Sequence, residues 1–158
     1  MNFKILTSKQ ISDEQAYYIL EQTSHLRPLY FPLQQSNYVF LEETIIGVFQ
    51  LVYLNKDEID LRYGIFKDFQ NKKLGVDFLK SILTYIFKTS TVNKIYLNID
   101  YANIRSIKVA EKCNFKIDYN LVEQRQISGE GESLIPYYTQ NKMMTKEKIY
   151  PSLLRNTY

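Results

Sequence analysis

Between Glu58 and Asp100 the apolar residues change spacing twice, and that double switch constrains the fold more than any other feature. Glu58 to Phe66 alternates apolar and polar, as a strand with one buried face does. From Leu74 the spacing becomes three and four. Leu74, Phe78, Leu79, Ile82, Leu83, Ile86 and Phe87 then form one stripe of an amphipathic helix. Lys94 to Asp100 alternates again, with Ile95, Leu97 and Ile99 on one face. Strand, helix and strand in so short a span predict a βαβ-like centre. The helix start, with its unpaired backbone N–H groups, falls directly after the strand Glu58–Phe66.

The flanks read as further strands and helices. Asn2 to Leu6 is a short strand, and Ser12 with Gln15 three residues on is a capping box opening a helix through about Gln22. His25 to Leu33, interrupted by Pro28 and Pro32, reads as broken helix or loop. Asn37–Glu42 and Ile45–Leu54, joined at Glu43-Thr44, predict a hairpin, and Glu58–Phe66 should pair with its second strand. Asn103 stands as N-cap before Ile104, Ile107 and Ala110, and Asn114 follows that helix where a left-handed residue is expected. Phe115–Ile127 and Leu134–Met144, on either side of Ser128-Gly129-Glu130-Gly131, read as a final antiparallel hairpin. With no linker, repeat or low-complexity segment, 158 residues predict one domain over 1–158, within the usual ~100–200. The expected class is α/β (α+β): a mixed central sheet of about seven strands with helices on both faces.

Composition narrows the function. Twenty basic and 17 acidic residues give a net charge of +3, and the two signs are interspersed, so no basic face is offered to nucleic acid. A small nucleic-acid-binding α/β module is disfavoured for that reason. No window approaches the ~18 apolar residues of a membrane span. Met1 to Gln10 alternates and lacks the apolar core of a secretion signal. The single cysteine, Cys113, excludes an internal disulfide, and the expected setting is reducing and cytoplasmic. The single histidine, His25, excludes a multi-histidine metal site, and no metal is expected. Fourteen Tyr and nine Phe without Trp, amid many Asn, Lys and Ile, read first as AT-rich codon usage.

The segment Gln70-Asn71-Lys72-Lys73-Leu74-Gly75 is a polar, basic loop feeding the amphipathic helix. Backbone N–H groups, the helix dipole and two lysines there offer positive potential at one point, as phosphate binding requires. By itself such a loop reads first as a solvated turn.

Three neighbouring stretches together resemble the GNAT acyltransferases. They are Asp60-Leu61-Arg62-Tyr63-Gly64-Ile65-Phe66, then Gln70 to Gly75, then Asn103-Ile104-Arg105-Ser106-Ile107-Lys108-Val109-Ala110-Glu111-Lys112-Cys113-Asn114-Phe115. The branch most resembled is that of the ribosomal-protein N-terminal alanine acetyltransferases. The family carries a strand ending in an aromatic-rich stretch, an Arg/Gln-x-x-Gly-x-Gly/Ala loop and an Asn-x-x-Ser…Glu-Lys-x-Gly-Phe helix. The resemblance covers about Glu58 to Phe115 without a gap; the rest of the chain agrees in element order only.

The resemblance implies a GNAT fold, acetyl-CoA as cosubstrate and direct acetyl transfer to an amine of a small molecule or a protein. Gln70, Asn71, Lys72, Lys73, Leu74 and Gly75 would then hold the coenzyme A pyrophosphate. Ile65 and Phe66 would meet the pantetheine arm where two parallel strands splay. Asn103 matches the residue that contacts the cofactor arm and reads equally as a plain N-cap. Asp60 falls where this branch often carries a Glu and would act as base through a water; it reads equally as a solvent-facing carboxylate. The usual acid, a Tyr, is replaced by Ala110. Ser106 is the substitute acid, or else a helix residue bonded to its own first turn. Tyr63, Tyr101, Tyr137 and Tyr138 are unranked reserves. His25, Arg27 and Tyr30 border the implied acceptor pocket, although a lone His near prolines also reads as packing. Cys113 reads as core. Lys73 stands in the middle-Gly slot, trading backbone freedom for a cation. A second expectation is a GNAT-like module that binds coenzyme A without turnover. Nothing in the sequence names the acceptor or chooses between monomer and homodimer.

Overall fold

The computed structural model describes residues 2–24, 26, 31–129 and 133–141. His25, Arg27, Tyr30, Glu130, Gly131 and Met144, singled out above, lie outside them. The element order is β1 (Phe3–Thr7), α1 (Asp13–Thr23), β2 (Asn37–Leu41), β3 (Thr44–Tyr53), β4 (Glu58–Ile65), α2 (Gly75–Thr89), β5 (Lys94–Asp100), α3 (Ile104–Lys112), β6 (Lys116–Ile117), α4 (Tyr119–Ile127) and β7 (Leu134–Gln140). The strands form one seven-stranded sheet in the order β1-β2-β3-β4-β5-β7-β6. Among the described residues every pairing is antiparallel except β4 with β5, the expected βαβ centre.

Local signals account for the element ends. The Ser12 hydroxyl accepts from Gln15 N–H at 3.2 Å while Gln15 Oε1 accepts from Ser12 N–H at 3.0 Å, closing the capping box of α1. Asn103 Oδ1 accepts from Ser106 N–H at 3.2 Å and opens α3. Asn114, at φ 66°, ends it in the left-handed conformation that Asn tolerates.

Burial separates the two faces. Phe78, Leu79, Ile82, Leu83 and Ile86 of α2 and Ala110 of α3 pack on Ile59, Leu61, Ile95, Leu97 and Ile99. Each Leu, Ile or Phe among them contributes roughly 1.5–3 kcal/mol of burial. Phe78 sits so near the sheet that a Cβ on Gly47 would lie 2.4 Å from its ring. On the opposite face Ile19 of α1 packs with Tyr38, Val48 and Phe66. Helices therefore lie on both faces, as expected.

One element differs. Only Lys116 and Ile117 of the segment Phe115–Ile127 pair with β7, opposite Tyr138 and Tyr137. The remainder is α4, capped by Asp118, whose Oδ1 accepts from Leu121 N–H at 3.0 Å. Leu121, Glu123, Gln124, Arg125 and Gln126 are good helix formers. However, α4 buries no residue fully and so has no apolar stripe to announce a helical period. In place of a terminal hairpin, β7 inserts between β5 and β6.

The feature that positions the site is the end of the parallel pairing. Glu58, Ile59 and Asp60 pair with Lys94, Ile95 and Tyr96, and there the ladder stops. Both strands continue, β4 held by β3 as far as Ile65↔Gly47 and β5 by β7 as far as Asp100↔Leu134. A wedge thus opens beyond Asp60 and Tyr96, held apart from both sides.

Candidate active site

The exit from β4 is tied down tightly. Phe66 N–H donates to Ile46 O at 2.8 Å, and Phe66 O accepts from Phe69 N–H at 2.8 Å. Gln70 reaches back, its Nε2 donating to Ile65 O at 2.9 Å. The loop then makes two left-handed turns, at Asn71 (φ 62°) and Lys73 (φ 58°). Asn71 is a tolerated residue there; Lys73 is not, and its slot is the one where the sequence departs from Gly. Arg105 of α3 fixes the loop by donating from Nη1 to Asn71 Oδ1.

Helix α2 begins at the end of this loop without a side-chain cap, following Leu74. Among the described residues the other three α-helices all have one, from Ser12, Asn103 and Asp118. The first-turn N–H groups of α2 therefore have no side-chain acceptor, which is the arrangement that receives an anion. Gly75 keeps this end close to α3, since a Cβ there would meet Val109 Cγ2 at 3.1 Å.

A cavity of about 570 Å³ lies between the end of β4, the loop 69–75 and the start of α3. Of the residues expected to bind a cofactor, it is lined by Ile65, Gln70, Asn71, Lys73, Leu74, Gly75 and Asn103, and Ser106 lies on its wall. Leu26 and Gly64 line it from the α1 face, and Tyr63 and Val109 from the α2–α3 face. Phe66 and Lys72 are not on its wall. The Phe66 ring is fully buried beneath α1, edge-on to Tyr18 at 5.8 Å, and Lys72 is exposed. Uncapped N–H groups, the Lys73 cation and a largely apolar wall fit a molecule with a pyrophosphate at one end and a slender arm at the other.

Asp60 lies at the wedge apex, on the face that carries α1 and α4, and does not line the cavity. Its Oδ1 accepts from Asn98 Nδ2 at 3.3 Å, and Asn98 Oδ1 accepts from Arg125 Nη2 at 2.9 Å. Burial raises the Asp60 pKa above its ordinary value, while the charges of Arg125 and Arg62 and the Asn98 hydrogen bond act against the rise. Ser106 uses its N–H for the Asn103 cap, and its hydroxyl bonds to none of the described residues. Of the reserve tyrosines only Tyr63 reaches the cavity. Its phenol has no hydrogen-bond partner among the described residues, and burial pushes its pKa well up, so it keeps its proton. Tyr101 is 64% exposed, Tyr137 is in the core, and Tyr138 lies beneath Lys94 Nζ. Cys113 is buried, with its thiol 3.6 Å from Val76 O and its pKa raised by burial, as a core residue should be. Sequence reasoning missed Arg105, Asn98 and Arg125, which meet their partners only through the fold.

A sheet split by a wedge, with an uncapped helix beside it, fixes the class of fold, and comparison with known proteins identifies the family. The family profile described as "Acetyltransferase (GNAT) domain" matches residues 2–116, and the chain belongs to that family. Spermidine N(1)-acetyltransferase of Vibrio cholerae is 24% identical over 110 residues, spanning 68% of this chain and 64% of that enzyme. The match thus falls short of two thirds of that relative's length. Campylobacter jejuni N-acetyltransferase PseH, solved with acetyl coenzyme A, superposes with a TM-score of 0.64 at 19% identity, covering 89% of this chain and 100% of that one. Aminoglycoside acetyltransferase AAC(6')-Ib, solved with coenzyme A and kanamycin, gives 0.61 at 16% identity, covering 94% and 98%. At these identities the structural likeness concerns the fold.

Among the described residues no helix is long and apolar enough to cross a membrane, and no cluster of three or more His, Cys, Asp or Glu could hold a metal.

Proposed function

We propose that this domain binds acetyl-CoA along the wedge and transfers the acetyl group directly to a primary amine. The observation that carries the reading is the uncapped start of α2 beside a cavity lined by β4, past the point where it parts from β5, and by the start of α3. PseH, of the same fold, was solved with acetyl coenzyme A, which supports the choice of cosubstrate.

The α2 N-terminus, Asn71, Lys73 and Gly75 hold the pyrophosphate, Lys72 adds positive potential from outside, and Asn103 touches the arm. Ile65 lies against the arm, while Phe66 and Gln70 hold the strand end in place. The acetyl thioester supplies the electrophilic carbon: the amine nitrogen bonds to it, the C–S bond breaks, the nitrogen sheds a proton and the sulfur gains one. Asp60, set back from the cavity, takes the amine proton through a water, and a carboxylate of raised pKa suits that task. Ser106 gives a proton to the departing thiolate. Tyr63 is the second reading for that role, favoured by its unpaired phenol on the cavity wall.

The acceptor enters from the α1 face, where Leu26 lies against Gly64. Its identity is sought by release of free thiol from acetyl-CoA across polyamines, aminoglycosides, amino acids and peptide N-termini. Binding without turnover on the whole panel leaves a coenzyme A-binding module. Absence of both binding heat and thermal shift at millimolar acetyl-CoA overturns the reading altogether, since a ligand selective for the native state must stabilise it.

A further inference from the structure

Where the β4–β5 ladder ends, a side-chain chain takes its place. Asn98 lies two residues past Tyr96, the last position of β5 that pairs with β4, and its amide reaches Asp60 on β4 at 3.3 Å. The other end of the same amide is held by Arg125 at 2.9 Å, from α4. All three side chains are partly buried. An Asn amide can rotate to present either end, but the arginine has only donors and so fixes Oδ1 toward itself. The Nδ2 donor is thereby committed to Asp60.

We propose that Asn98 and Arg125 are positioning residues that orient the Asp60 carboxylate and favour its ionised form, so that α4 is part of the catalytic apparatus. The proposal rests on the reading of Asp60 as base, and its test is built to separate the two. On this face the other titratable or charged groups among the described residues include Glu58 and Arg62 of β4, Lys94, Tyr96 and Asp100 of β5, Tyr138 of β7, Asp118 at the cap of α4, and Tyr18 and Glu21 of α1. Lys94 is already engaged, 3.8 Å from Glu58, 4.0 Å from Asp118, and over the rings of Tyr96 and Tyr138. Tyr96 donates to Asp118 at 3.2 Å. Arg125 and Arg62 therefore remain as the cations acting on Asp60.

The direction of the effect follows. A base must be ionised, and Arg125 favours the ionised carboxylate, so its removal raises the Asp60 pKa. The acidic limb of kcat/KM then moves to higher pH. A direct cation neighbour shifts a carboxyl by ~1–3 units, and one acting across an amide by less, about half a unit. At pH above both values activity returns toward the unmutated plateau, whereas mere structural damage lowers the plateau at every pH.

The experiment uses the full chain, with Arg125→Gln, Arg125→Lys and Asn98→Ala alongside Asp60→Asn. Two quantities are read: the Asp60 carboxyl pKa by carbon-detected NMR without cosubstrate, and the pH profile of kcat/KM. We expect Arg125→Gln and Asn98→Ala to raise the pKa and move the limb by about half a unit. Arg125→Lys, which keeps the charge, should restore most of the shift, with KM for acetyl-CoA unchanged. If Arg125→Gln does not fold, Asn98→Ala and Arg125→Lys carry the same comparison. An Asp60 pKa unmoved in the folded variants overturns the relay. Full activity in Asp60→Asn overturns the base assignment instead, and NMR still decides the relay.

Discussion

Lys73 occupies a left-handed backbone position, φ 58°, at the edge of the candidate phosphate site, so one substitution there should move stability and affinity in opposite directions. A residue with a Cβ in this conformation costs ~1–2 kcal/mol relative to one without. Glycine returns about 0.4–1 kcal/mol of that through the freedom it gives the unfolded chain. Lys73→Gly should therefore stabilise the free domain by about 0.5–1 kcal/mol, which at this size is roughly 1–4 °C in Tm. The same change removes a cation from beside a pyrophosphate. One charge-assisted contact at a partly solvated site is worth about 1 kcal/mol, or about fivefold in Kd for coenzyme A at low salt.

Lys73→Ala separates the causes, since it loses the charge but keeps the strained Cβ. It should weaken coenzyme A about as much as Lys73→Gly and gain no Tm. Thermal unfolding without ligand and calorimetric titration with coenzyme A measure both effects. At ~1 M salt, where screening falls to ~3 Å, the affinity differences should close. A Lys73→Gly variant no more stable than the parent refutes the strain argument. Unchanged affinity in both variants at low salt refutes the placement of the pyrophosphate.

Four other outcomes follow from the same geometry. Lys73→Glu should weaken coenzyme A severalfold more than Lys72→Glu, because only Lys73 lines the cavity, and neither should alter pantetheine, which lacks the pyrophosphate. Asp60→Asn should lower turnover by ~10²–10⁴-fold at neutral pH with coenzyme A affinity kept, and the defect should shrink as pH approaches the acceptor's own pKa. Its Tm at pH 7 should not fall: the folded pKa of Asp60 is raised, so the native state binds the proton more tightly, and Asp60 loses stability as pH climbs through that interval. Ser106→Ala should show a milder defect than Asp60→Asn, with no rescue at high pH; if Tyr63→Phe shows that pattern and Ser106→Ala none, the phenol is the acid. Gly47→Ala should destabilise by about 1–3 kcal/mol in a denaturant titration, because its methyl would meet the Phe78 ring at 2.4 Å and Gly64 O at 2.6 Å.

What could be read in the sequence and what could not divide along a physical line. The two switches of apolar period located β4, α2 and β5, because burial on one face writes a periodic code into the chain, and α2 has a fully buried stripe. Ser12, Asn103 and Asn114 were legible because a cap or a left-handed turn is met by a residue and its immediate neighbours. Helix α4 was not, since it lies on the sheet through polar contacts and buries no side chain fully. The loop announced itself by residue type, but its brace did not: Arg105 and Asn71 are 34 residues apart. The same holds for Asn98 and Asp60, which meet across 38 residues, and for Arg125, which meets Asn98 across 27. Short-range signals thus mark the proposed cofactor end of the site, where a loop and a helix terminus suffice. The proposed reacting end is assembled from β4, β5 and α4, and the Arg125 charge that acts on Asp60 arrives on the helix whose own sequence signal was weakest.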